Sequence, residues 1–398
     1  MTTHGHGHGG SSADPEIAPQ VRTVAAAVVV PFVIAALIAM VILWPSGERP
    51  ESQAADLTDG EITGFQQCDP IEGEAPDDES QCRMAQVRLD SGADVVAFMP
   101  FGEGAPEYVV GDEVVVGAFD TGEQIQYEVI DYQRAQPLLI LALIFVAALI
   151  ILSRWRGLAA LAGLAFAIVV LTVFVLPALL DGSSPLAVAV VGAAVIMVGT
   201  MYLTHGVSVR TTIALIGTLI SLTLTGILGY VFVDAGRFTG VTDEETGYLQ
   251  FLGIEVESSG LLLAGLVIGA LGVLNDVTVT QTVAVWEVAA ANRTIDRRGL
   301  FSSGMRIGRE HVGATVNTLV LAYVGASLSV PMLLIVADQD LVQMLQTEQV
   351  AAEIVRALVG SLGIVAAVPI TTALAAFAVG SAQERGRRAR RARAAVGG

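Results

Sequence analysis

Eight stretches of this chain are long and apolar enough to cross the roughly 30 Å hydrocarbon core of a bilayer, and no other feature restricts the fold as much. They fall near residues 24–44, 137–152, 157–180, 185–203, 211–233, 260–280, 312–336 and 357–379. In hydrocarbon every backbone N–H and C=O needs a partner within the chain, so these stretches are predicted to be helices. With 53% hydrophobic and 15% charged residues among 398, the chain is too apolar for a soluble domain of its length. The expected class is a predominantly α-helical integral membrane protein of about eight transmembrane helices.

Arginine placement orients the spans. Arg22 precedes the first; Arg154 and Arg156 separate the second and third; Arg210 separates the fourth and fifth; Arg293, Arg297, Arg298, Arg306 and Arg309 separate the sixth and seventh. The tail ERGRRARRARAA follows the eighth. With an even number of spans, all of these lie on one side, which the positive-inside rule makes cytoplasmic, and both termini share it. Beside a last membrane helix the tail's arginines read as topology anchors touching anionic lipid, not as a nucleic-acid site. The formal charge of −18 comes mainly from acids between residues 48 and 131, so it describes one segment and not the whole surface.

The expected organisation is a His/Gly-rich unstructured tail (1–22), an uncleaved anchor helix (23–45), an extracytoplasmic β-domain (46–135), a seven-helix bundle (136–380) and a basic cytoplasmic tail (381–398). In the β-domain five alternating runs, GEITGFQQC, CRMAQVRLD, ADVVAFMPF, GDEVVVGAF and YEVIDY, are punctuated by glycine, proline and acids. They predict a small barrel or sandwich, comparable with an OB-fold. Cys68 and Cys82 are the chain's two cysteines and fall in this domain, on the side where disulfides persist, so a structural bridge is expected. A two-thiolate metal site lacks nearby histidines, and the acidic loop IEGEAPDDES between the cysteines reads as solvated before it reads as a calcium loop. His4, His6 and His8 alternate on a glycine-rich tail that imposes no ligand geometry; neither a resident metal nor any other cofactor is expected.

Span six raises the functional question. Its uninterrupted apolar run ends at Leu274, and Asn275 and Asp276 follow at about 24 Å from a helix start near Gly260, still within the inner part of the membrane. Gly265, Gly269, Gly272 and Asp276 share one helical face, continued by Thr280 and Glu287. Glycine faces let helices approach, so Asp276 is expected to point into the bundle. Span seven brings Asn317 to a comparable depth, and span five offers the small-residue face Gly217, Ser221, Thr225 and Gly229. Two readings of this polar layer stand. Asn275, Asp276, Thr280 and Asn317 form an ion or solute site, since ionisable groups at membrane depth are costly and mark transport paths; or they are interhelical glue. Glu310 and His311, at the start of span seven, form either a proton relay or an interfacial anchor. The segment from Trp286 to Gly308 reads as helix, turn, helix along the inner surface.

Several functions are excluded or disfavoured. The sequence contains no lysine, so it has neither a P-loop nor a Schiff-base nucleophile. It shows no GxSxG, HExxH or paired intramembrane aspartate motif, and no enzymatic activity is expected.

The stretches LNDVTVTQTVAVWEV and GLFSSGMRIGREHVGATVNTLVLAYVGASL resemble the YibE/F-like family of bacterial membrane proteins, and GDEVVVGAF with YEVIDYQR resembles its outer domain. The resemblance implies a polytopic protein of the bacterial cytoplasmic membrane, of the kind described as permeases, and brings no substrate or catalytic residues. The expected function is therefore a permease or secondary transporter of an unidentified small solute or ion, with membrane lipids around it. The alternative is a non-transporting envelope scaffold or assembly factor whose β-domain binds a protein partner. Solute, coupling ion, direction of transport and oligomeric state are not written in the residues.

Overall fold

The computed structural model describes residues 19–45, 56–67, 83–100, 104–120, 125–241, 257–337 and 340–396. Cys68, Cys82, the acidic loop between them and the histidines of the N-terminal tail lie outside the described residues. The chain divides into two compact units, 48–154 and the remainder.

The first unit carries the five expected strands: β1 (Asp56–Gln67), β2 (Arg83–Leu89), β3 (Asp94–Phe98), β4 (Glu113–Asp120) and β5 (Ile125–Tyr132). They close a barrel in the order β1-β2-β3-β5-β4, with β3 parallel to β5 and every other pair antiparallel, a Greek-key closure in keeping with the OB-type expectation. Closure removes the unpaired edges that an open sheet of this size would expose. Alternation sets the core: Ile62, Ala85, Val87, Ala97, Val114, Val116 and Val129 point inward and are buried. After β5 the chain enters α2 (Ala135–Ser153), an apolar helix that buries none of its residues within the described structure.

Tyr108 closes one end of that core, its ring 4.5 Å from the ring of Tyr132, and Tyr132 donates from its hydroxyl to the Glu107 carbonyl at 2.8 Å. The Tyr108 hydroxyl is buried with no hydrogen-bond partner among the described residues. Burial, and then the charge of Asp131, push its pKa above the ordinary 10.0. The folded barrel thus keeps Tyr108 neutral where the unfolded chain ionises it. The stabilisation is complete below pH 10.0 and is lost as pH rises through the raised folded value. Tyr108→Phe, which removes an unpartnered hydroxyl, is expected to leave neutral-pH stability unchanged or slightly higher and to flatten the alkaline loss. Near-UV circular dichroism across pH 8–12 checks this, and an unaltered alkaline limb would count against it.

The second unit is a helical bundle. It comprises α1 (Pro19–Ile42), α3 (Trp155–Leu180, with a π-turn at Leu171–Val175), α4 (Pro185–His205), α5 (Val209–Ala235), α6 (Ser258–Ala291), α7 (Arg297–Ala326), α8 (Ser329–Val336), α9 (Leu341–Gln346) and α10 (Glu348–Val396). Among the described residues seven helices, α2 included, have the length and apolar character to cross a membrane, and the pair α7–α8, bent by 58°, brings the number to eight when it is counted as one span. The seventh span, expected to be one run over 312–336, is therefore broken near Ser327. After Trp286 the expected turn is present, but the helices on either side are not separate surface segments: α6 runs unbroken from Ser258 to Ala291 and α7 from Arg297 to Ala326, with the Asp296 carboxylate capping α7 by accepting the Gly299 N–H at 2.9 Å.

α6 is the central element. It packs against α4, α5, α10 and α7, and Leu266, Leu274, Val277 and Val285 are buried on its inner faces. α5 and α10 also pack on each other, joined by contacts in which a threonine of one helix covers a glycine of its partner. A Cβ on Gly217 would lie 2.5 Å from the Thr371 Oγ1, and one on Gly363 would lie 2.1 Å from the Thr225 Oγ1. The small-residue face predicted on span five is thus used for close approach, with Gly217, Ser221, Thr225 and Gly229 all buried.

Candidate functional site

A buried polar layer lies within two turns of Asn275 and Asp276 along α6, built mostly from other residues. The hydroxyls of Thr218 on α5 and Thr278 on α6 are 2.6 Å apart and fully buried. One turn on, Gln281 is only 2% exposed and donates from Nε2 to the Gly304 carbonyl of α7 at 2.8 Å and to the Thr372 Oγ1 of α10 at 2.6 Å. Thr372 donates onward to the Val368 carbonyl. Gly304 and Gly308, four residues apart on α7, let that helix come down onto Gln281, since a Cβ on Gly308 would lie 2.9 Å from the Gln281 Oε1. One side chain therefore pins three helices. Gln281→Leu keeps the volume and is expected to lower stability by about 1–2 kcal/mol, because Gly304 and Thr372 lose a donor where no water replaces it. A thermal-melt series on purified protein reads this, and an unchanged midpoint would remove the network's structural role.

The residues expected to form the site occupy other positions. Asp276 is exposed, as are Gly265, Gly269, Gly272, Thr280 and Glu287, so the whole stripe faces out of the described bundle. This corrects the expectation that Asp276 points inward. α6 buries its broad leucine, valine and threonine faces against four helices, and the glycine stripe occupies the gap left between them. Asn275 is half-buried with its Oδ1 unpartnered, and Asn317 is exposed on α7. Among the described residues no side-chain hydrogen bond or ion pair joins Asn275, Asp276, Thr280 and Asn317 to one another. The charge of Asp276 acts on His205 at the end of α4, together with those of Arg210 and Arg156. Glu310 is exposed, and the half-buried His311 has its Nε2 buried without a partner; no hydrogen bond joins the two side chains.

A second polar feature lies toward the other end of the same helices. The break between α7 and α8 and the first turns of α10 enclose a cavity of about 520 Å³. Tyr323, Ser327, Ser329, Gln349 and Glu353 line it among apolar side chains. Glu353 accepts a hydrogen bond from Arg356, three residues on, and both side chains are mostly buried, at 27% and 24% exposure. The Arg356 Nε is buried with no partner. The two charges that act on the Tyr323 hydroxyl are those of Arg356 and Glu353. That hydroxyl also lies against α6, where a Cβ on Gly269 would sit 3.1 Å away. Gly269 and Asp276 share the exposed stripe, about 10 Å apart along the axis. Tyr323 is accordingly the point at which the cavity meets the stripe that leads to Asp276.

The sequence reading missed Glu353 and Arg356 by starting the last span at residue 357, whereas α10 begins at Glu348. The signal was the i, i+3 spacing of opposite charges at the head of an apolar run, which marks a charged turn that still belongs to the helix.

A closed five-stranded barrel and a bundle of many long apolar helices point to a multi-pass membrane protein. The model for "YibE/F-like protein" matches residues 141–381, more than half of the chain, and the chain belongs to that family. The match takes in most of α2, α3 to α9 and the spanning part of α10; the barrel strands and α1 lie outside it. No curated protein and no solved structure matches the chain.

Proposed function

We propose that the protein is a permease or secondary transporter of a small solute in a bacterial cytoplasmic membrane, with both termini cytoplasmic. The observation that carries this reading is the broken span α7–α8, which with α10 encloses a cavity that a few polar groups line beside the Glu353–Arg356 pair. Discontinuous helices around a buried polar site are the recurrent architecture of secondary transporters, because irregular backbone at membrane depth persists only where it lines a cavity. Continuity from Tyr323 along the exposed stripe to Gly272 and Asp276 supplies the route toward the arginine-rich end. Asp276 is then the ionisable group of the path, with Asn275, Thr280 and Asn317 as neutral oxygen ligands near it and Glu310 with His311 as the proton relay.

Water access tests this before any solute is known. Asp276→Cys is expected to react with a membrane-impermeant thiol reagent well above the wild-type background, from one side of sealed vesicles. Reaction confined to lipid-soluble maleimides would place Asp276 against lipid and end the transport reading of the stripe. Once a transported solute is found in a proteoliposome screen, Asp276→Asn is expected to lower its flux at least tenfold, and unchanged flux would exclude Asp276 from the path.

A second reading, an envelope scaffold or assembly factor, draws on the outward-facing Val96 and Phe98 of β3, neighbours on one barrel wall. Deleting residues 50–134 separates the two: transport that survives deletion while a partner is lost assigns the barrel to recruitment.

A further inference from the structure

We propose that the cavity between α7, α8 and α10 binds a primary ammonium group carried on an apolar chain. The inference rests on the permease reading and names the class of solute that this cavity selects. A cavity of about 520 Å³ lies within the roughly 300–1,000 Å³ range of small-molecule sites.

Its walls are mostly apolar, with Val320, Val324, Val330, Ile354 and Leu358 among them, so an apolar body is favoured over a sugar or a nucleotide. The one charged group in the lining is an acceptor, Glu353; the Gln349 amide and the Ser329 and Tyr323 hydroxyls beside it can donate or accept. Glu353 faces the cavity, whereas Arg356 is not among its lining residues and stands behind the carboxylate as its partner. An anion entering here would meet the carboxylate first, with the guanidinium behind it and bonded to it through Nη1. A cation meets a carboxylate that Arg356 orients through one oxygen, leaving the other free to accept. Tyr323 adds an aromatic face and a hydroxyl, a combination that favours an ammonium in a partly desolvated site. The Ser327 hydroxyl donates to the Tyr323 carbonyl at 3.0 Å, so its oxygen presents lone pairs and no spare proton. An ammonium, which donates three hydrogen bonds and accepts none, complements this set; a neutral alcohol does so only in part.

The test titrates the full-length protein in phosphatidylcholine nanodiscs with hexylamine, hexanol and hexanoate, by calorimetry and thermal shift. Hexylamine is expected to bind at least tenfold more tightly than either analogue. Glu353→Gln is expected to erase that margin, while Asp234→Asn at the exposed end of α5 keeps it. Should Glu353→Gln fail to fold, Ser327→Leu, which fills the cavity, is expected to abolish binding of all three. Equal affinity for amine and alcohol, a preference for hexanoate, or amine binding unchanged in Glu353→Gln would each overturn the proposal. Adding phosphatidylethanolamine to the nanodiscs distinguishes the source: weakened hexylamine binding assigns the site to a lipid headgroup, unchanged binding to a free amine. Amine selectivity without impermeant labelling at Asp276→Cys and without flux would keep the site and end the permease reading. Labelling without amine selectivity would do the reverse.

Discussion

Gly363→Ala is expected to lower the thermal midpoint of the bundle more than any other single methyl addition on α10, and Thr225→Ala is expected to restore much of the loss. The added Cβ would sit 2.1 Å from the Thr225 Oγ1, far inside contact distance. Thr225 is fully buried and donates to the Ser221 carbonyl at 2.8 Å, so turning its hydroxyl away breaks a hydrogen bond in a region without water. The alternative is to separate α5 from α10, which also loosens the Gly217–Thr371 contact two turns away. Overpacking of this kind costs about 1–3 kcal/mol, and Gly363→Val belongs at or above the top of that range. Thr225→Ala alone removes one hydroxyl and leaves a small gap, with a modest cost. In the double variant the two alanines face each other across the space that a glycine and a threonine shared. A double-mutant cycle read by thermal melts in one detergent therefore carries the prediction as a favourable coupling energy of about 1–2 kcal/mol. Additive losses would mean that the helices do not meet at this point.

The pairing of Gly217 with Thr371 and of Gly363 with Thr225 explains why span five was readable from sequence and span six only in part. Four-residue spacing of small residues on α5 correctly marked its packing face, because α10 covers Gly217 with Thr371 and sets Gly363 against Thr225, while Leu266 of α6 covers Gly229. The same rule applied to Gly265, Gly269 and Gly272 selected the wrong face of α6, since small residues permit approach without compelling it: among the described residues only the Tyr323 hydroxyl reaches this stripe, at Gly269, and Gly265 and Gly272 face open space. The face that does pack carries Leu274, Thr278, Gln281 and Val285, whose burial depends on three different helices that no local periodicity reveals. Asp276 drew attention as the charge within an apolar run. Gln281, five residues on, is what pins α6 to α7 and α10. Helix existence followed from apolar length, and the barrel strands from alternation, because both signals are local. The break at Ser327 was missed because the apolar character of Leu321 to Val336 was read for length alone, although Gly325, Ser327, Ser329 and Pro331 punctuate it.

The second large effect is expected at Gly240, just after α5. Its φ of +81° lies in the left-handed region, and a Cβ there would be 2.1 Å from the carbonyl carbon and oxygen of Ser258, at the head of α6. Both obstacles are backbone, so no side-chain rotation relieves them. Gly240→Ala combines a left-handed cost of about 1–2 kcal/mol with overpacking of about 1–3 kcal/mol. The loop has a further tie: the Gly240 N–H donates to the Glu348 carboxylate at 2.7 Å, and the Thr239 hydroxyl reaches the same group at 2.9 Å. Glu348 is the first residue of α10, five residues before Glu353. Displacing the loop therefore releases the end of the helix that carries the cavity's acid. Gly240→Ala is expected to lower the thermal midpoint and to weaken hexylamine binding together. Glu348→Gln, which keeps the side chain's length and one acceptor oxygen, is expected to reduce binding less and to leave the fold intact. If Gly240→Ala weakens the fold while the remaining folded protein binds the amine at wild-type affinity, the loop stabilises the bundle without shaping the cavity. Parallel losses in both measurements would show that the start of α10 is held in place from α5, across the sequence gap that separates the two helices.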